Sequence, residues 1–440
     1  MIPLLRSAPG AAGAPARSTL LLFGSGDFAF NLYWQVIGLY LLFFYIDALT
    51  LPPAVAGTVF MIGTIWDGAA DFVAGAVAER MRTPYRGLVG WGALPLGLAF
   101  VSMFAMPPGA VWWALTAQIV FRTLYAFTNI PYAAWTTRLA ATSQDRSLIA
   151  GLRMGFGAAA GALVALALPW LVAIIGYAGA AAALAVLGVP LLAVIAWRVP
   201  ESAPPACSGT TLAIGPALLL LARNRAFIAL NLAAAAGGAA VALTSQSVLY
   251  FFRYVLLDDL GGPRVLAGMA LTSVIAVPVW TALASLRGAR FAWLTAGVFA
   301  LLLPAGMALV HSPASIATAA FLLAMQAAFA GFGLAAWTLL PDVVDWGEAQ
   351  SGKRVEALAF GSFALIQKIA LAAAGFTIGI VYQASGFVAG AVQTSATLIA
   401  IRWLMLAGPA VLIALMLAAV LTLPLRRDTL AQLQNEISPG

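Results

Sequence analysis

Asp67 and Asp71 stand four residues apart in Trp66-Asp67-Gly68-Ala69-Ala70-Asp71, inside an otherwise apolar run from Ala54 to Ala78. On a helix this spacing puts both carboxylates on one face, about 6 Å apart along the axis. A charged carboxylate in the middle of a bilayer costs about 3 kcal/mol by insertion scales, so two together call for a proton, a metal ion or a basic side chain. Adjacent carboxylates also resist carrying two charges at once, which lets such a pair exchange a proton for another cation or for a lysine's charge. The chemistry expected of Asp67 and Asp71 is reversible cation binding, as in a cation-coupled transporter.

Four further charges fall inside apolar runs: Asp27, Arg122, Arg153 and Lys368. Counting about 1.5 Å per residue from one end of each helix puts Asp27, Asp71, Lys368 and Asp67 at depths of about 12 to 19 Å, near the middle of a ~30 Å hydrocarbon core. Three acids and one base are thereby expected to converge. A buried Lys368–Asp pair that only sets helix packing is the plainer alternative. Arg153 has a plain alternative as a snorkelling residue, and Arg122 stands open between a solute contact and an interhelical ion pair. Asn129, in Tyr125-Ala126-Phe127-Thr128-Asn129-Ile130-Pro131-Tyr132, faces either a cavity or a neighbouring helix.

The elements that must hold these charges follow from composition. Of 440 residues, 63% are hydrophobic and 8% charged, against about a quarter charged in an ordinary soluble domain. Lipid is the solvent for such a chain. Apolar runs give twelve spans, at 19–46, 54–79, 88–106, 111–139, 148–175, 178–198, 226–254, 264–285, 290–309, 314–341, 357–383 and 399–424. The fold class is therefore an all-α polytopic membrane protein. Its polar connection, 199–225, separates two six-helix bundles at 1–198 and 226–440, the 6+6 layout of transporters that rock two halves about a midplane site.

Sixteen of the 22 basic residues lie in the tails and alternate loops of one side, which places both termini in the cytoplasm. They are dispersed among short loops, unlike the clustered basic face of a nucleic-acid reader. Cys207 and His311 are single, so no metal cluster or Cys/His nucleophile pair assembles within one chain. No enzyme activity, resident metal or cofactor is expected, and the chain is expected to act as a monomer.

Several ordered motifs resemble one family. They are Gly26-Asp27-Phe28 with Phe44-Tyr45-Ile46-Asp47, then Trp66-Asp67 through Asp71, Glu79-Arg80 with Arg82 and Arg86, and Asn129-Ile130-Pro131-Tyr132. The most specific is Pro341-Asp342-Val343-Val344-Asp345-Trp346-Gly347-Glu348, continued by Gly352-Lys353-Arg354-Val355-Glu356 and reaching Gln367-Lys368. Over nearly its whole length the chain resembles the glycoside–pentoside–hexuronide:cation symporters of the major facilitator superfamily, the group of the bacterial melibiose permease. The resemblance implies a major facilitator fold in the cell inner membrane. It implies that Asp67 and Asp71 bind the coupling cation, that Asp27 and Arg153 engage a sugar, and that Lys368 sits close to the cation. It also implies a cytoplasmic gate in which Asp342, Asp345, Glu348, Arg354 and Glu356 pair with basic residues such as Arg80.

Two departures from that family bear on the ion. Where the melibiose permease adds an asparagine and a threonine to its sodium ligands, this chain has Ala70 and Ala126. Two neutral oxygens are missing, so a proton is favoured over sodium at Asp67 and Asp71. Asn129 and Ala133 replace a sugar-binding aspartate and a stacking tryptophan, which points away from a galactoside. The function expected is symport of a sugar, glycoside or uronide with a proton, with Tyr33, Asn129, Arg153 and Trp337 as solute contacts. A sodium-coupled form, and the same fold carrying a lysolipid-like solute, are the alternatives, and a non-transporting membrane enzyme or receptor is the last of them.

Overall fold

A computed structural model describes residues 16–80, 84–139, 143–201, 214–308, 315–353 and 355–424. Helices α1 (Arg17–Gly24) and α2 (Gly26–Phe43) form one rod ending in a π-helical turn, Phe44–Ala48. Then come α3 (Pro53–Arg80), α4 (Tyr85–Ser102), α5 (Val111–Leu139) and α6 (Ser143–Arg198). The last holds two crossings joined at Gly176, whose φ of 71° needs a residue without a Cβ. A short helix, α7 (Ile214–Arg223), lies in the polar connection and packs against α8, α11 and α12. The second half holds α8 (Arg225–Tyr250) with a π turn at Phe251–Val255, α9 (Gly261–Arg287), α10 (Ala289–Ala308), α11 (Ser315–Ser351), α12 (Glu356–Ala384), α13 (Ser395–Met405) and α14 (Ala407–Thr422). The last two make one rod broken at Leu406. Seven helical segments among the described residues are long and apolar enough to cross a membrane on length and composition alone. The second leg of α6 with α3, α4, α5 and α10 completes the twelve expected crossings.

Side-chain placement suits a lipid solvent. Trp91, Trp112 and Ile316 point outward and are more than three-quarters exposed, while Asp67, Arg122, Gln118 and Thr64 are fully buried. These charged and polar groups are inside, while large apolar side chains fill the core and also cover the outer surface, as a lipid solvent allows. Backbone ends are satisfied locally. The Glu201 carboxylate, for example, accepts the Tyr85 and Arg86 N–H groups at 2.9 Å, capping α4, and pairs with Arg138.

A repeat not visible in the amino-acid text is plain in the backbone. Each half's first rod ends in a π turn, Phe44–Ala48 or Phe251–Val255, followed by one helical residue and one left-handed one, Thr50 (φ 53°) or Leu257 (φ 55°). Equivalent hydrogen bonds close both turns: Leu49 N–H to the Phe44 carbonyl at 2.9 Å and Leu256 N–H to the Phe251 carbonyl at 3.1 Å. The left-handed conformation is costly for a branched side chain, so its occurrence at matching places marks duplicated architecture.

The two turns meet on the face opposite the start of α1, here called the far face. Asp47 from the first takes Arg253 in an ion pair and accepts a hydrogen bond from Tyr254 OH, both from the second. Tyr250 OH donates to the Leu42 carbonyl at 3.3 Å. Just inside this seal α3 and α12 run in close contact. A Cβ added at Gly379 would lie 2.4 Å from the Pro53 carbonyl oxygen, a backbone atom that cannot swing away. Gly379→Ala is therefore expected to cost about 1–3 kcal/mol as overpacking, read as a lowered melting temperature in detergent. An unchanged melting temperature would show that the contact is slack.

Candidate functional site

The charge cluster is built by three helices. Helix α3 brings Asp67 and Asp71 to one face, as their spacing predicts, and Trp66 Nε1–H donates to Thr123 Oγ1 at 2.9 Å, fixing α3 against α5. Gly68 lies between the acids, and a Cβ there would meet Leu365 at 2.4 Å. Its bare backbone lets α12 come close enough to lay Lys368 across both carboxylates. Lys368 Nζ is 2.5 Å from Asp67 Oδ2 and is paired with Asp71 Oδ2. One ammonium thus joins the two halves of the molecule.

A second cation completes the cluster. Arg122 of α5 holds its Nη1 3.5 Å from Asp67 Oδ2, donates from Nε to Gln118 Oε1 at 3.0 Å and donates from Nη2 to Thr64 Oγ1 at 3.1 Å. Gln118 in turn donates to Tyr45 OH at 3.2 Å and to the Val59 carbonyl at 3.3 Å. A side chain at Gly63 would collide with Gln118, so the glycine makes room for the relay. The Trp34 indole lies beside both cations, 5.8 Å from Lys368 Nζ and 5.9 Å from the Arg122 guanidinium carbon. Two carboxylates and two bases therefore balance in a largely buried site. The alternatives open for Arg122 resolve to an interhelical ion pair.

Asp27 does not join this cluster, contrary to the convergence expected from depth alone. It pairs with Arg153 of α6, which also donates from Nη1 to Thr136 Oγ1 at 3.4 Å and lies over the Tyr132 ring at 5.1 Å. Depth along a helix says nothing of rotation about it. Arg153 is accordingly a partnered residue within the first half.

A cavity of about 430 Å³ lies between the halves. Trp34, Gly38 and Leu39 of α2 form one wall, and Ser245 and Gln246 of α8, Trp293 of α10, Phe329 and Phe332 of α11, and Gln367 and Lys368 of α12 are among the others. Its size suits a small sugar or glycoside. Lys368 belongs to both the cavity and the charge cluster, and so does Trp34 through its ring.

Several expected solute contacts fall elsewhere. Tyr33 is a correction: it is fully buried among Phe100 and Phe121 within the first half, because one residue of helix turns a side chain by about 100° and it is Trp34 that faces the cavity. Asn129 is half-buried on α5 and outside the lining. Trp337 is half-exposed one residue beyond the cavity-lining Ala336, with its ring 5.0 Å from that of Phe363. Asp342, Asp345 and Glu348 are half-buried in the last turns of α11, which continues past the expected end of the span to Ser351. Arg80 and Glu356 are described by backbone alone and Arg354 lies outside the described residues, so the expected gate pairs involving them do too. Sequence reading overlooked Trp34, Gly38 and the Gln118–Thr64 support of Arg122. The available signal was the four-residue spacing of Gln118 and Arg122, two polar residues on one face of an apolar helix.

A cavity between two six-helix halves, walled by a lysine that bridges a pair of acids, is the layout of a secondary transporter. The comparisons make the class specific. Residues 22–427 match the family model described as MFS/sugar transport protein, and the chain belongs to that family. The putative glycoside/cation symporter YagG of Escherichia coli K12 is 29% identical, covering 81% of this chain and 80% of its own. The isoprimeverose transporter of Lactiplantibacillus pentosus is 26% identical, covering 86% and 83%. The nucleoside transporter NupG shares the fold at 14% identity, with a TM-score of 0.68 over 93% of this chain and all of that one. A bacterial homolog of the lysosomal transporter Spinster does so at 14% identity, with a TM-score of 0.67 over 98% and 100%. The protein is a multi-pass membrane transporter of the major facilitator fold, in a family of sugar transporters rather than enzymes.

Proposed function

We propose that the chain imports a glycoside or uronide together with a proton, which is taken up and released at Asp71. The observation that carries this reading is the Lys368 bridge, since it ties α12 of one half to α3 of the other at the wall of the solute cavity. A proton on Asp71 removes the charge that holds Lys368 there. The ammonium then turns to Asp67 alone or to the solute, and the contact between halves loosens as the solute is bound. Alternating access coupled to protonation follows from that exchange. Relatives named as an isoprimeverose transporter, a putative sulfoquinovose importer and a glucuronide carrier homolog support a carbohydrate cargo, including acidic ones.

Ser245, Gln246 and Gln367 supply hydroxyl-binding groups and Trp34 a flat apolar face, while alanines and glycines of α8 favour an apolar portion of the solute. That apolar wall also supports a second reading, an amphipathic solute such as a lysolipid. Arg153 with Asp27, Asn129 and Trp337 remain outer contacts in this proposal, and Asp342, Asp345, Glu348, Arg80, Arg354 and Glu356 its cytoplasmic gate. The bias of basic residues supports cytoplasmic termini, a relative named as an inner membrane symporter supports that membrane, and a cavity formed within one chain supports a working monomer.

The test is a thermal-shift panel of isoprimeverose, sulfoquinovose, phenyl glucuronide and a lysophospholipid on purified protein, followed by uptake of the stabilising solute into vesicles. A sugar-specific shift is expected, and stabilisation by the lysophospholipid alone would replace this reading with the second. Trp34→Ala is expected to raise KM for that sugar about three- to tenfold, the worth of one ring face, with kcat less affected. An unchanged KM would remove Trp34 from the solute site.

A further inference from the structure

We propose that Arg122 is the built-in counter-cation of Asp67 and closes that carboxylate to sodium, an inference that rests on the proton-symport reading and deepens it. The arginine is as buried as its partner, with side-chain exposures of 1% and 0%. Its Nε and Nη2 are held by Gln118 and Thr64, so the guanidinium is fixed in place with its remaining nitrogen turned to Asp67. With Lys368 on the same oxygen, Asp67 faces two positive charges. An alkali ion entering there would be the third positive charge against two carboxylates in a low-dielectric site, where like charges repel strongly.

The ligands are missing as well as the charge. A hard cation needs several oxygens in place of its water. Ala70 and Ala126, flanking the acids, are buried in a small apolar cluster with Ala74, Phe127 and Ile130. Gln118 Oε1 and Thr64 Oγ1, neutral oxygens beside the cluster, already accept hydrogen bonds from Arg122. Asp71 is the more open acid, with a side chain 28% exposed, and among the described residues its ion-pair partner is Lys368. Arg122 thus confines counter-ion exchange to Asp71 and determines which ion takes part.

Removing the positive charge leaves the cluster one cation short, and an ion from solution restores neutrality. The experiment compares melting temperatures of wild type, Arg122→Gln and Arg122→Lys in sodium chloride and in choline chloride at equal ionic strength, without any sugar. Wild type and Arg122→Lys are expected to melt alike in both salts. Arg122→Gln is expected to melt lower in choline and to regain about 2–4 °C specifically in sodium. Three results would overturn the proposal: sodium-specific stabilisation of wild type, sodium sensitivity of Arg122→Lys, or an Arg122→Gln protein that follows pH and ignores sodium. If Arg122→Gln does not fold, radioactive sodium binding to wild type decides, since any saturable binding refutes the closure. Failure of the proton reading is separately visible as wild-type uptake that no pH gradient drives.

Discussion

Asp71→Asn is expected to abolish concentrative uptake while sparing exchange of solute across the membrane. The amide matches the carboxylate in size and still accepts a hydrogen bond from Lys368. What it cannot do is change charge. In the proposed cycle the wild-type cluster alternates between two acids balanced by two bases and, with Asp71 protonated, one acid against two bases. The substitution holds it in the second condition. Lys368 keeps Asp67, 2.5 Å away, so the ammonium stays partnered and the fold survives. Counterflow, which needs only that the loaded carrier reorient, should run at a sizeable fraction of the wild-type rate. Accumulation driven by a pH gradient should fall to that of protein-free vesicles. An Asp71→Asn protein that still concentrates solute would take the coupling role away from this residue.

Asp47→Asn should have the second large effect, on which face of the molecule is open. Asp47 is the hub of the far-face seal: it pairs with Arg253 and accepts the Tyr254 hydroxyl, and Tyr254 also accepts the Gly390 N–H at 3.0 Å. All of these cross from one half to the other or tie a loop over the junction. The flanking Thr50 and Leu257 sit in a left-handed backbone region that disfavours their side chains, so strain is stored where the halves meet. Charge-assisted hydrogen bonds of this kind contribute about 1.5–3 kcal/mol. Their loss shifts a two-state equilibrium by about ten- to a hundredfold. Labelling of Ser245→Cys, on the cavity wall, by an impermeant thiol reagent added from the far face should accelerate accordingly in an Asp47→Asn, Cys207→Ser background. Equal labelling rates with and without Asp47→Asn would show that the seal does not govern access.

The parts of this account that were legible in sequence are those the membrane makes expensive. Asp67, Asp71 and Lys368 stood out because charge inside an apolar run has to be explained, and helical spacing put the acids on one face. The twelve crossings followed from run length, including the split of α6 at Gly176. Rotation and pairing were not legible. Asp27 and Lys368 lie at similar depths on helices that turn them to different partners, and Arg122 has no motif to name Asp67 as its own. Tyr33 and Trp34 are adjacent in sequence and face about 100° apart, so that Tyr33 packs against α4 and α6 and Trp34 faces the cavity. The matched π turns were hidden for another reason: they repeat a backbone path with few identities, Phe44 and Leu49 matching Phe251 and Leu256, while the polar residue Asp47 falls opposite Tyr254.

Accumulation of a labelled sugar by vesicles containing only this protein, under an imposed pH gradient and separately under an imposed sodium gradient, tests the central claim most directly. The account predicts uptake above equilibrium with the inward proton gradient, its collapse when a protonophore is added, and no accumulation with sodium alone. Accumulation driven by sodium in the absence of a pH gradient would contradict it.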